Sequence, residues 1–333
     1  MIKNMKIKKN IFIVGTPLQV INAIEAIHHF KLRNIVFVIK HNKIQKNRIH
    51  LESIIKSLNN NFEIIHMYPS VKNTRIVNYI KTIKYLKKNL YQYFFIGDFS
   101  TFTRIAIANL NKEKLFLLDD GIGTIIHLER DIKPNKINKY RFREYRFLFY
   151  GFKIKVCDKI NLFTYFNIKF LNGVEVIKNN LTYMKSKLES RDNDEYKNVL
   201  FFIGQDWLMH SHKEDLWNDL VKLSQTFKDK KIVYIPHREE TEYDLKNVKL
   251  IKNIDILELN QSVEQYFIDN LIYPLNLISF ISTALVTTKI LFPKCNVNYI
   301  KIKNPNYKVN SGLTYLDSIY KVLESNDISE LEL

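Results

Sequence analysis

The chain has 333 residues, enough for two domains that each bury a core. Apolar residues make up 46% of it and aromatic residues 13%, which excludes a disordered polar chain. The two cysteines, Cys157 and Cys295, have no Cys-x-x-Cys spacing or Cys/His cluster, which excludes a disulfide framework or structural zinc site and fits a reducing cytoplasm.

The formal net charge of +17 attracts polyanions such as nucleic acid, anionic lipid or a phosphorylated substrate. Much of it is Lys in an Ile/Asn/Lys-rich sequence, which an AT-rich genome also produces. The basic start Met1 to Asn10 leads into an apolar run, Ile11–Val14, too short for a signal-peptide core or a membrane span. No other uncharged apolar stretch is long enough, so a soluble, cytoplasmic protein is expected.

Ile11–Val14 followed by Gly15-Thr16-Pro17 reads as a buried parallel strand, and Leu18 to Phe30 then spaces Val20, Ile21, Ile24 and Ile27 as a helix does. The pattern continues with strand Asn34–Lys40, helix Arg48–Leu58, strand Glu63–Met67, helix Arg75–Leu90, strand Tyr93–Ile96, helix Thr101–Leu110 and strand Leu115–Leu118. This alternation predicts a doubly wound parallel sheet in an N-terminal domain, residues 1–130. From Asp131 the sequence turns aromatic and basic, ending in a polar run, and residues 131–196 are expected to form a linker.

A second series begins with strand Val199–Ile203, helix Glu214–Phe227 and strand Lys231–Ile235. It runs on through Val248–Lys252, Val263–Asp269, Leu277–Phe280 and Asn298–Ile300 to a closing helix, Gly312–Leu323, in a C-terminal domain of residues 197–333. The expected class is α/β of the GT-B type, two Rossmann-like doubly wound domains facing across a cleft, with ligands beyond the carboxyl ends of the strands.

Four constellations follow strands. Asp119-Asp120-Gly121-Ile-Gly123 sets two carboxylates at a strand end, where one pKa can rise as a general base requires; the same triplet is ordinary turn chemistry. Gly204-Gln205-Asp206 ends the first strand of the second half, as a turn with a capping Asp or as part of a site. Pro236-His237-Arg238 places an imidazole and a guanidinium where a phosphate is held, or a structural His after a strand. Ser282-Thr283 opens an apolar helical segment and serves either as an N-cap or as a phosphate seat.

In this order the motifs resemble the bacterial sialyltransferases of glycosyltransferase family 52, the lipooligosaccharide sialyltransferase group. The resemblance runs from about residue 10 to about residue 290 and rests on Thr16-Pro17-Leu18-Gln19, Asp119-Asp120-Gly121-Ile-Gly123, Gly204-Gln205-Asp206, His237-Arg238, Val263-Glu264-Gln-Tyr266 and Phe280-Ile-Ser282-Thr283-Ala284-Leu285. Two features depart from the family: the proline precedes His237 instead of following it, and the N-terminal membrane anchor of some members is missing.

The resemblance implies transfer of a sialic acid from CMP-sialic acid to a terminal galactose, with inversion and without a metal or other cofactor. In that scheme His237 hydrogen-bonds or protonates the departing phosphate, Ser282 and Thr283 grip its oxygens, and Glu264, or Glu258 as second candidate, binds the ribose. Gly204, Gln205 and Arg238 join the donor site, and Thr16 and Gln19 face the acceptor. The base is Asp206 by the closer family match, or Asp119 and Asp120 by analogy with related families. Another CMP-activated sugar acid as donor is the nearest alternative, and a nucleic-acid-binding module, which has no recognisable motif here, the remote one. A homodimer exchanging the aromatic stretch Tyr140–Phe152 is expected. The basic segments Arg75 to Lys88 and Lys133 to Lys155 suit the anionic inner leaflet as a peripheral attachment.

Overall fold

The structure, a computed structural model, describes residues 7–42, 48–49, 51–52, 54–55, 62–134, 136–139, 141–168, 173–188, 196–237, 239–308 and 311–333. It divides into two compact units. The first comprises Met1–Asp120, His127–Thr164 and Ile168–Asn179; the second comprises Gly121–Ile126, Tyr165–Asn167 and Asn180–Leu333.

The first unit is built on a seven-stranded sheet of order β3-β2-β1-β4-β5-β6-β7. Its strands are β1 (Lys9–Val14), β2 (Ile35–Lys40), β3 (Glu63–Met67), β4 (Tyr91–Ile96), β5 (Lys112–Leu118), β6 (Asn161–Thr164) and β7 (Val176–Lys178), and every pairing is parallel. Ile11, Phe12, Ile13 and Val14 are wholly buried, as a central parallel strand covered on both faces requires. Helix Pro17–His29 follows β1 at once. Pro17 supplies a preset φ at its first turn, and the Thr16 hydroxyl caps it by accepting from Gln19 N at 3.2 Å.

The second unit holds six parallel strands in the order β10-β9-β8-β11-β12-β13. These are β8 (Val199–Ile203), β9 (Lys231–Ile235), β10 (Ile254–Ile256), β11 (Asn276–Ser279), β12 (Asn296–Tyr299) and β13 (Ser329–Glu330). In both units the order reverses beside the first strand, between β1 and β4 and between β8 and β11. Adjacent crossovers leave in opposite directions there, so a crevice opens at the carboxyl ends of the strands.

The expected series of elements is found with ends shifted by a few residues, with three corrections. The expected linker, 131–196, contains sheet: Asn161–Thr164 pairs with β5 and Val176–Lys178 pairs with Asn161–Thr164, extending the first sheet by two strands. Val248–Lys252 does not form an element of its own. Thr241 and Asp244 form a reciprocal capping box, so helix Glu242–Lys249 runs into that segment and the strand forms later, as β10. The closing segment starts as a 3-10 turn, Ser311–Tyr315, before helix Leu316–Glu324. The helix expected over Arg48–Leu58, the polar run to Tyr196 and Tyr140 lie partly or wholly outside the described residues. No helix among the described residues is long and apolar enough to cross a membrane.

Candidate functional site

At the reversal in the first unit, Gln19 projects from the first turn of its helix across the ends of β1 and β4. Its Oε1 accepts from Gly15 N at 2.7 Å, and its Nε2 donates to Gly97 O at 3.1 Å. A Cβ on Gly97 would lie 2.1 Å from the Gln19 amide carbon, so only glycine leaves room for this crossing. Thr16 Oγ1 donates to Asp120 Oδ1 at 2.8 Å. Burial pushes the Asp120 carboxyl up, while its hydrogen bonds to Thr16 and Gln19 hold it down. Asp119 is fully buried, and its backbone carbonyl accepts from Asn22 Nδ2 at 3.0 Å. Thr16, Gln19 and Asp120 therefore form one hydrogen-bonded group.

Beside these residues, and absent from the sequence reading, stands Lys40. It donates to Asp98, to Ser100 Oγ at 2.9 Å and to Thr103 Oγ1 at 3.1 Å. Burial raises the Asp98 carboxyl, but Lys40 and the donors from Ser100 and Thr103 outweigh it and leave the group well below the usual carboxylate range.

In the second unit the candidate residues sit on three neighbouring strand ends: Gly204-Gln205-Asp206 after β8, His237 after β9, and Ser282-Thr283 after β11. With parallel strands about 4.8 Å apart, the outer two of these three strands lie about 10 Å from each other. Asp206 caps the 3-10 turn Trp207–Met209, accepting from Leu208 N at 3.0 Å, and Gln205 is buried against Met209 Sδ. Ser282 Oγ accepts from Ala284 N at 3.2 Å, and Thr283 Oγ1 accepts from Ile122 N at 3.1 Å. A hydroxyl used in this way keeps its own proton to donate. Glu239 N donates to His237 Nδ1 at 3.3 Å, which in a neutral ring leaves the proton on Nε2.

Glu264 is buried in the first turn of its helix, Val263–Asp269, where its carboxylate accepts from the hydroxyl of Thr287, one turn along the helix that Thr283 precedes. Glu258 lies exposed just beyond β10, and Arg238 falls outside the described residues.

The sequence reading missed Glu240, which organises the His237 turn. Its Oε1 accepts from His237 N at 2.7 Å, its Oε2 accepts from Tyr234 OH at 2.9 Å and Trp207 Nε1 at 3.3 Å, and its own N–H returns to His237 O at 2.9 Å. A Cβ on Gly204 would lie 2.1 Å from Glu240 Oε1, so the glycine admits the carboxyl. Burial pushes Glu240 up to about 7 against the pull of these three donors. His210 was missed as well. It is buried edge-on to Phe280 at 5.1 Å, neither ring nitrogen has a partner among the described residues, and burial lowers its pKa and favours the neutral ring.

Two parallel sheets whose orders reverse at the first strand, with polar groups gathered at the reversals, define an α/β protein with two Rossmann-like domains of the GT-B type. The sequence matches no family model and no curated protein. Among solved structures the chain is similar to S. aureus MnaA determined with UDP, at 12% identity over 96% of this chain and 87% of that one, TM-score 0.54. It is similar also to a putative UDP-N-acetylglucosamine 2-epimerase from Listeria monocytogenes, at 12% identity over 96% and 90% of the two chains, TM-score 0.53. At these identities the likeness is one of fold.

Proposed function

We propose that this chain is an inverting, metal-independent glycosyltransferase that moves a sialic acid from CMP-sialic acid to a terminal galactose of a bacterial surface glycan, lipooligosaccharide or capsule. The reading combines the family 52 resemblance with one observation: His237, Ser282 and Thr283 occupy strand ends on either side of Gly204-Gln205-Asp206, at the reversal of a parallel sheet. Departure of CMP gathers negative charge on its phosphate, and donors fixed before the reaction stabilise that charge most effectively. In this reading His237 Nε2–H supplies one donor and the hydroxyls of Ser282 and Thr283 supply two more, while Glu240 fixes the imidazole's backbone.

Asp206, or Asp119 and Asp120 in the first unit, takes the proton of the acceptor hydroxyl. Thr16 and Gln19 stay on the acceptor side, and Arg238 and Glu258 stay with the donor. Glu264, whose carboxylate accepts from Thr287, binds the ribose hydroxyls in this reading, with Glu258 as the second candidate. A cytoplasmic homodimer attached peripherally to the inner face of the membrane completes the reading, with no specific nucleic acid as partner.

The test supplies CMP-sialic acid and a galactose-terminated acceptor and follows CMP release. His237→Ala is expected to lower kcat by about 100- to 1000-fold, the range for loss of one such donor, with the melting temperature unchanged. Full activity in the variant overturns the assigned role. Binding of UDP, seen in the S. aureus neighbour, with no response to CMP overturns the donor. A response to CMP with turnover only of Kdo, pseudaminic or legionaminic acid donors keeps the site and changes the sugar.

A further inference from the structure

The first unit carries a surface that the site does not use. Phe142–Tyr150 forms a 3-10 helix of nine residues, long for this conformation, and its period of three sorts the side chains into lines. Glu144 and Phe147 point inward and are fully buried. Phe142, Tyr145 and Leu148 form a second line, and Arg143, Arg146 and Phe149 a third. Phe142 and Phe149 are each 90% exposed, and Leu148 and Tyr145 about half. With Arg75 from helix Lys72–Leu86, Phe142 and Tyr145 of the second line and the whole third line border a groove of about 670 Å³.

This face is held rigidly. Glu144 accepts from Arg104 Nε at 2.7 Å and from Nη2 at 3.2 Å in a fork buried to 1% and 0% exposure. Arg104 Nη1 also donates to Ile137 O at 2.7 Å, and Arg141 Nη1 to Phe99 O at 2.9 Å. Gly151 then ends the segment at φ 74°. Two phenylalanines standing in water on so firmly tied a scaffold form a preorganised apolar edge, not a loose loop.

The charges select the occupant. Between residues 130 and 159 the acids are Asp131, Glu144 and Asp158, and each is paired within the protein: with Arg130 at 2.8 Å, Arg104 at 2.7 Å and Lys112 at 2.8 Å. Helix Lys72–Leu86 contains no acid. The face is therefore cationic around an apolar edge. A second copy docking through it about a two-fold axis would set Arg75, Arg143 and Arg146 against their own counterparts. Anionic lipid headgroups neutralise those arginines while the apolar side chains enter the acyl boundary. We propose that this face docks the protein on an anionic lipid bilayer, Phe142 and Phe149 inserting and Arg75, Arg143 and Arg146 holding headgroup phosphates. The choice of the inner leaflet rests on the proposed function; the docking face itself does not.

The test is co-sedimentation of the full chain with vesicles of equal parts phosphatidylglycerol and phosphatidylcholine, and with phosphatidylcholine vesicles alone. The protein is expected to pellet with the first and not the second. F142S/F149S and R75E/R143E are each expected to weaken binding by at least about tenfold, with melting temperatures unchanged because the altered side chains are exposed. Equal binding to both vesicle types, or parent-like binding by both double variants, overturns the proposal. So does a parent that is dimeric without lipid, becomes monomeric in F142S/F149S and pellets with neither vesicle. CMP binding by calorimetry is measured alongside: vesicle binding without CMP binding removes the donor reading and leaves this face standing, and the reverse removes only the face.

Discussion

The two sheet reversals use the same device with different chemistry. In the first unit Gly97 stands where the Gln19 side chain crosses the strand ends, and in the second Gly204 stands where Glu240 does. Each crossing group bonds the backbone of its mouth, Gln19 to Gly15 and Gly97, Glu240 to the His237 amide. Gln19 is a neutral amide whose donor and acceptor are satisfied at any pH. Glu240 is an acid, buried enough to sit at about 7. The mouth carrying the phosphate candidates is thus held by a titratable group, and the mouth carrying Thr16 and Asp120 by one that does not titrate.

The largest effect that separates the two is steric. Gly204→Ala places a Cβ 2.1 Å from Glu240 Oε1, 2.8 Å from Tyr234 OH and 3.0 Å from the His237 backbone nitrogen, and two of these have little room to retreat. A cost of about 3 kcal/mol is expected, the upper end for overpacking. At Gly97 all three nearest atoms belong to the Gln19 side chain, which can swing away, so Gly97→Ala is expected to cost about 1–2 kcal/mol. Urea denaturation of both variants checks the order; a costlier Gly97→Ala breaks the comparison.

The next effect is on pH dependence. Glu240 binds its proton more tightly folded, at about 7, than at its ordinary 4.5. Its contribution to stability is therefore full below pH 4.5 and is lost as pH rises through about 7. Glu240→Gln keeps the shape and cannot ionise. Melting temperatures measured across this window are expected to fall less steeply with pH in the variant than in the parent. Identical slopes would mean that the His237 turn is not held by a titrating group.

How far this was legible in the sequence depends on the distance over which the signal acts. Val199–Ile203 and Lys231–Ile235 are apolar runs bounded by turn residues, and the predicted ends are the observed ones. β6 and β7 are four and three residues long inside an aromatic, basic stretch, too short to show a period; only pairing of β6 with β5 and of β7 with β6 makes them strands. The Thr241-x-x-Asp244 box was present in the sequence, yet the apolar Val248, Leu250 and Ile251 beyond it read as a separate element. Glu240 carries no local signal. Its meaning comes from Gly204, which the β8–β9 register, Ile203 opposite Ile235, brings beneath it.

The smallest effect concerns which unit supplies the base. Thr16 Oγ1 donates to Asp120 and accepts from Gln19 N, so Thr16→Val loses a cap and a hydrogen bond, at about 1 kcal/mol. It also removes a donor that holds the Asp120 carboxyl down against burial, so the Asp120 pKa rises further. A base must be deprotonated to act. If Asp120 takes the acceptor's proton, the acidic limb of the kcat/KM profile moves to higher pH in Thr16→Val and returns in Thr16→Ser. If Asp206 is the base, the limb stays where the parent has it, because Asp206 lies on the other unit and its backbone donor Leu208 is untouched. A shifted limb assigns proton removal to the mouth closed by Gln19; an unshifted one leaves the chemistry with the mouth that Glu240 holds.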